Sequence, residues 1–221
     1  MSRARPRSLV AAIVLISGCS SGGGAVNGGP ATGVTATGVT VPATAAGSVD
    51  QSITGFGSGQ SVNADFAAVE ADIRADPAKV EAGALAHLGD ADPSVHYAAV
   101  YALSRTAKTA GSLSALATLL TSTQVEDRLL AATALAYRGD KSGLPVLIDE
   151  LGANDAFLYW EPAQTASDFA RAQLLRFTSQ DLGLRAATDP AAAANVKQAW
   201  QQWWNDHGAT LHWDPAIEEF G

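Results

Sequence analysis

The chain has 221 residues and a formal net charge of −8, from 14 basic and 22 acidic residues. A surface this acidic offers no electrostatic footprint for nucleic acid and is repelled by anionic lipid headgroups. One cysteine, Cys19, excludes any disulfide within a single chain.

Residues 1–18 read as an export signal. Arg3, Arg5 and Arg7 precede an apolar stretch of eight residues, 9–16. A helix needs about 20 apolar residues to cross a bilayer, so this stretch is too short to span one. A basic start, a short apolar run and the small pair Ser17-Gly18 match a cleaved secretory signal. The run Ile16-Ser17-Gly18-Cys19 resembles the lipobox of bacterial lipoproteins. That resemblance implies cleavage before Cys19 and a diacylglycerol on its sulfur, the thiolate being the nucleophile. Two acyl chains anchor a protein stably where one holds it only marginally. The implied location is the bacterial cell membrane, lipid-anchored at its extracytoplasmic face. Removal of residues 1–18 takes three arginines and leaves 11 basic against 22 acidic residues, a net of −11.

Residues 19–61 are expected to form the lipidated cysteine and a disordered linker. Of the 42 residues at 20–61, 29 are Gly, Ala, Ser or Thr, and only Asp50 is charged. The pentads Ala31-Thr32-Gly33-Val34-Thr35 and Ala36-Thr37-Gly38-Val39-Thr40 nearly repeat. Too little apolar bulk is present to offset the entropy of ordering. A flexible chain of this length reaches about 35 Å.

From Val62 onward, alanine, leucine and aspartate dominate, and residues 62–221 are long enough for one domain with its own core. Residues 64–74 and 78–88 read as an antiparallel helix pair. Asp92-Pro93 is an N-cap followed by proline at the first helical position. Two segments then align 32 residues apart: Ala99, Ala102 and Leu103 match Ala131, Ala134 and Leu135. Their i, i+3, i+4 spacing is one helix face, and small residues there let a neighbouring helix approach closely. A second amphipathic run follows each, with Leu113, Leu116, Leu119 and Leu120 in one and Leu144, Val146, Leu147 and Leu151 in the other. Gly139-Asp140 and Gly152 punctuate the runs, and a weaker third copy spans residues 170–175. Trp200, Trp203 and Trp204 form an apolar stripe at helical spacing near the C-terminus. This stripe is expected to bury all three rings against Leu174, Leu175 and Phe177.

The stretch from Leu85-Ala86-His87-Leu88-Gly89 through Asp90-Ala91-Asp92-Pro93-Ser94-Val95 resembles the joint of HEAT repeats of the phycobilisome-lyase-like type. The chain departs from that pattern at His96, where the family has arginine, and at Asp127, where it has valine. The tail, Arg176-Phe177-Thr178-Ser179-Gln180-Asp181-Leu182-Gly183 followed by Trp200-Gln201-Gln202-Trp203-Trp204, resembles the end of bacterial HEAT-repeat lipoproteins. Ser179 stands for the usual glycine and Leu182 for the usual phenylalanine. The resemblance implies an all-α, armadillo-type fold: a HEAT-like α-solenoid of stacked antiparallel helix pairs, closed by a Trp-rich C-terminal capping helix.

No catalytic or cofactor-binding constellation is visible, neither phosphate loop nor nucleophile elbow. HEAT-repeat hydroxylases present His-Glu dipeptides, but the four histidines here precede Leu88, Tyr97, Gly208 and Trp213. A phycobilin is not a substrate that an extracytoplasmic lipoprotein meets. Asp206, His207, His212 and Asp214 cluster, yet Gly208 breaks the helix between the histidines, so a metal site is not expected. His87 and His96 flank a turn and are expected to cap it or face solvent. The adjacent acids Glu126-Asp127, Asp149-Glu150 and Glu218-Glu219 point apart and are expected on the solvated surface. Residues 154–168 lengthen the third repeat and contain Phe157-Leu158-Tyr159-Trp160-Glu161-Pro162. Either these aromatics plug a gap in the stack, or Phe157, Tyr159 and Trp160 are exposed and bind a partner. The expected function is a non-enzymatic scaffold or protein-interaction module for another envelope protein or peptide. The alternative is a small-ligand receptor or enzyme using a groove near Tyr97, Tyr101 and Trp160.

Overall fold

Most helix starts are set by a side chain that accepts an otherwise orphaned amide. The computed structural model describes residues 49–58, 61–153, 155, 165–183 and 190–221, all within the unit Ala43–Gly221. These residues are mainly helical: α1 (Val49–Thr54), α2 (Val62–Ala75), α3 (Pro77–His87), α4 (Pro93–Thr106), α5 (Ala110–Leu119), α6 (Val125–Ala136), α7 (Gly143–Asp149), α8 (Ala166–Thr178) and α9 (Pro190–His207). Ser61, Asp76, Asp92 and Thr109 cap α2, α3, α4 and α5, and proline opens both α3 and α4. Thr165 and Asp168 exchange bonds in a capping box at α8. Ser179, at the position where the resemblance expects glycine, ends α8 in the left-handed conformation with φ 51°.

Among the described residues the fold is all-α apart from one short hairpin. Trp213–Asp214 (β1) pairs antiparallel with Glu219–Phe220 (β2), Trp213 opposite Phe220. Sequence periodicity gives no warning of strands only two residues long.

Helices α2, α4, α6 and α8 form a row in which each touches the next. Helices α3, α5 and α7 pack against that row, and α9 packs on α7. The small-residue faces carry this packing. Ala99, Ala102, Leu103 and Ala131 are fully buried, with Ala134 and Leu135 nearly so. The closest approach is at Gly143, where a Cβ would lie 2.2 Å from the carbonyl oxygen of Ala132. Glycine is required there because α7 starts directly against the backbone of α6.

The folded part begins earlier than residue 62. Residues 49–58 fall inside the segment expected to be linker, yet α1 forms there and packs on α2, α3 and α4. Ile53 is fully buried and Phe56 is 3 % exposed. Two apolar side chains three positions apart anchor a stretch whose composition is otherwise that of a flexible chain. Limited proteolysis should therefore leave a resistant fragment that retains Ile53 and Phe56. Mass determination of a limit fragment starting at residue 62 would contradict this.

Candidate functional site

A seam of buried polar contacts links helices about one repeat apart. Tyr101 on α4 donates to Glu70 on α2 at 2.7 Å, across 31 residues. Ser112 on α5 donates to Glu81 on α3, again across 31 residues. His96 on α4 donates through Nε2 to Asp127 on α6 at 3.0 Å, also across 31 residues. Arg138, just beyond α6, donates through Nε to the carbonyl of Ala107, 31 residues back. Each of these four contacts spans the same 31 residues.

Burial corrects the expectation of solvated acids for Glu126, Asp127 and Glu150. Asp127 is 3 % exposed, Glu126 7 % and Glu150 6 %. Asp127 accepts hydrogen bonds from His96 and, at 2.7 Å, from the Ser122 hydroxyl. His96 Nδ1 lies 2.8 Å from the carbonyl oxygen of Leu88. Arg128, one position past Asp127, donates to Glu150 on one side and to the carbonyl of Ser122 on the other. His96 and Arg128 are equivalent in the 32-residue alignment, and each bonds back to a preceding carbonyl and forward to a buried carboxylate. The two departures from the HEAT pattern, His96 and Asp127, are thus partners. Asp127 and Glu150 are buried because each meets a partner on another helix, His96 on α4 and Arg128 on α6. His87, the last residue of α3, flanks the turn as expected and lies 3.3 Å from Asp90. The Asp92 amide, and secondarily His87, hold the Asp90 carboxyl below its ordinary pKa.

Ser122, His96 and Asp127 are not arranged for nucleophilic catalysis. The serine hydroxyl donates to the carboxylate rather than to the imidazole, and the second imidazole nitrogen is engaged by a backbone carbonyl. A nucleophile needs the base beside it. The seam has a structural consequence instead. His96→Ala and Asp127→Ala should each cost about 1–3 kcal/mol, because each leaves a buried polar partner unmatched. The double variant should cost less than the two added together, in urea titrations of all four chains. Strict additivity would show that the two residues act independently.

A third network closes the start of α5. Glu81 Oε1 accepts from the amides of Lys108 and Thr109 at 3.0 and 2.9 Å, and from the hydroxyls of Thr109 and Ser112. Burial by itself raises the pKa of this carboxyl. The amide of Lys108, the hydroxyl of Ser112 and both donors of Thr109 outweigh it and hold the pKa at about 2.

The groove considered near Tyr97 and Tyr101 is filled by the chain itself. Phe56 lies 5.2 Å from Phe66 and 5.9 Å from Tyr97, and Phe66 lies 4.8 Å from Tyr101, ring centre to ring centre. Tyr97 is 3 % exposed. Burial, and then the adjacent Glu70 carboxylate, raise the pKa of the Tyr101 phenol. Trp160, placed with these two in the alternative reading, lies outside the described residues, as do Cys19, Phe157 and Tyr159. The flanks of that aromatic insertion are described and joined. The amide of Ala166 donates to the carbonyl of Asp155 at 2.9 Å, and the amide of Gly152 donates to the Ser167 hydroxyl at 2.8 Å.

At the C-terminal end only Trp200 is fully buried, while Trp203 and Trp204 are half-buried. This corrects the expectation that all three bury together against Leu174, Leu175 and Phe177. Helix α9 lies on α7, and the rings beside Phe177 are those of Tyr137, at 4.8 Å, and of Trp213 in the hairpin, at 6.4 Å. Polar contacts hold α9 in place. Lys141 donates to the carbonyls of Gly208 and Ala209 at 2.6 and 3.0 Å, and Lys197 to that of Asp149 at 2.5 Å. Glu218 bonds Arg176 at 2.8 Å, and that guanidinium covers the Tyr137 ring at 4.6 Å. His207 stacks on Trp203 and donates to its carbonyl at 2.9 Å. Among the described residues no three His, Cys, Asp or Glu side chains gather as metal ligands, and no helix is long and apolar enough to cross a membrane.

No protein-family model matches this chain, and no curated protein or solved structure matches it either.

Proposed function

We propose that this chain is a membrane-anchored, non-enzymatic scaffold or protein-interaction module of the bacterial cell envelope. In this reading residues 62–221 are a HEAT-like α-solenoid, extended at its start by α1 and capped at its end by α9. The recurrence of cross-helix contacts at an offset of 31 residues carries the reading. A stack built by repetition presents a long continuous surface, which suits proteins and peptides more than small molecules. The lipobox-like run ending at Cys19 supplies the anchor. Residues 20–48, of low complexity, separate that anchor from α1 in the sequence. Phe56 and Phe66 occupy the space beside Tyr97 and Tyr101, and this weighs against a small-ligand receptor or enzyme at that place.

In-cell photo-cross-linking tests the reading. Reactive groups placed at the exposed positions Ser114 and Thr118 of α5 should give a discrete adduct with one envelope protein. That adduct should weaken when Cys19→Ala detaches the chain. Absence of any adduct from exposed positions on every helix would overturn it.

A further inference from the structure

Each helix of the row ends on an arginine. Arg74, Arg105 and Arg176 stand in the last turns of α2, α4 and α8, and Arg138 follows the end of α6. A cation at a helix C-terminus offsets the negative end of the helix dipole. That rule would serve every helix alike, yet α5 and α7 carry no basic residue in the last turn, and α3 carries only His87. The arginines mark one edge of the row.

Contacts between neighbours put them in one line. Glu70 accepts from Arg105 at 3.2 Å and lies 3.9 Å from Arg74. Arg138 donates to the carbonyls of Ser104 and Ala107, on either side of Arg105 in the sequence. Arg176 covers the ring of Tyr137, the residue before Arg138.

The four differ in what they have left to give. Arg138 is half-buried and spends Nε and both terminal nitrogens on backbone carbonyls, so it ties the ends of α4 and α6 together. The Arg105 side chain is 49 % exposed and, among the described residues, spends only Nε, on Glu70. The Arg74 side chain is 70 % exposed, and its approach to Glu70 at 3.9 Å is too long for a hydrogen bond. Arg176 is exposed and gives one terminal nitrogen to Glu218. Arg74 and Arg105 keep the paired N–H donors that take a carboxylate side-on.

Packed helices stand about 8–10 Å apart. A polyproline II segment rises about 3.1 Å per residue with three residues per turn, so every third side chain falls on one face at about that interval. We infer that this edge of the row binds an extended acidic segment of a partner protein, with Asp or Glu at every third position. Carboxylates three residues apart meet Arg74 and Arg105, and one six residues further on meets Arg176, beyond the engaged Arg138. Charge selects the occupant. The chain as a whole has a net charge of −8 and repels a bilayer or polyanion that approaches on a broad front. A single strand of carboxylates meets only the edge, where four arginines outnumber the two acids that touch them, Glu70 and Glu218. This rests on the reading of the chain as an interaction module, and it names the chemistry of the partner.

A fluorescent peptide of four Glu-Pro-Pro repeats tests this on the full chain at low salt, where surface charges are least screened. It should bind at least about threefold more tightly than a peptide of the same composition with its glutamates in one run. Arg74→Gln and Arg105→Gln should each weaken binding about three- to fivefold, the worth of an exposed ion pair. Arg74 makes no hydrogen bond among the described residues, so its variant separates binding from stability. Lys197→Gln removes an equal charge beside Asp149 and should leave the affinity unchanged. Equal affinity for the two peptides, an equal loss in Lys197→Gln, or no binding of either peptide overturns the inference. Binding to phosphatidylglycerol vesicles that depends on Arg74 and Arg105, without binding of the peptide, overturns it as well and assigns the edge to lipid. A photo-cross-linked adduct from α5 together with no peptide binding leaves the interaction-module reading standing and removes only this edge.

Discussion

Trp200→Ala should lower the stability of the folded unit by about 3–5 kcal/mol, the cost of deleting a large aromatic side chain from a packed site. Trp200 is fully buried and meets Trp203 edge to face at 5.1 Å. The loss is a large share of a stability of about 5–15 kcal/mol for a domain of this kind. Trp203→Ala should cost only about 1–2 kcal/mol, because that ring is half-buried and covers less apolar area. Urea midpoints with unchanged slopes would measure the difference. Equal losses for the two variants would show that the stripe is buried as a unit, as its spacing alone suggests.

Glu81→Ala should cost about 3 kcal/mol, since the amides of Lys108 and Thr109 lose their acceptor in a buried place. The same carboxylate links stability to pH. Its pKa is held at about 2 in the folded chain, below the ordinary 4.5. The protons it lacks when folded are bound when unfolded, so its contribution is complete above about pH 4.5 and fades as the pH falls toward 2. The difference in stability between wild type and Glu81→Ala should therefore be constant near neutrality and shrink across that acid window. A difference that stays level from pH 6 to pH 2 would show that the charge itself contributes nothing.

Much of the fold is legible in the sequence because the signals are local. Asp92-Pro93 marks the start of α4, and the Ala99/Ala131 and Leu103/Leu135 register marks faces that the structure buries. Long-range partners are not legible in the same way. Asp127 looks like a surface acid until His96, 31 residues earlier, is brought beside it. The one hint was that both positions depart from the repeat pattern. Helix α1 was hidden by composition: glycine, serine and threonine outvote two apolar residues, although Ile53 and Phe56 stand at helical spacing. Helical spacing of the tryptophans says which side of α9 turns inward, but not that α7 receives it or that Trp213 meets Phe177.

The central claim, a helical interaction module held to the membrane by lipid, is tested most directly by the intact mass of the chain purified from bacterial membranes. The account predicts a polypeptide beginning at Cys19 and carrying a diacylglycerol adduct, absent from the Cys19→Ala variant. A mature chain of unmodified mass, or one cut at a site other than Cys19, would contradict it.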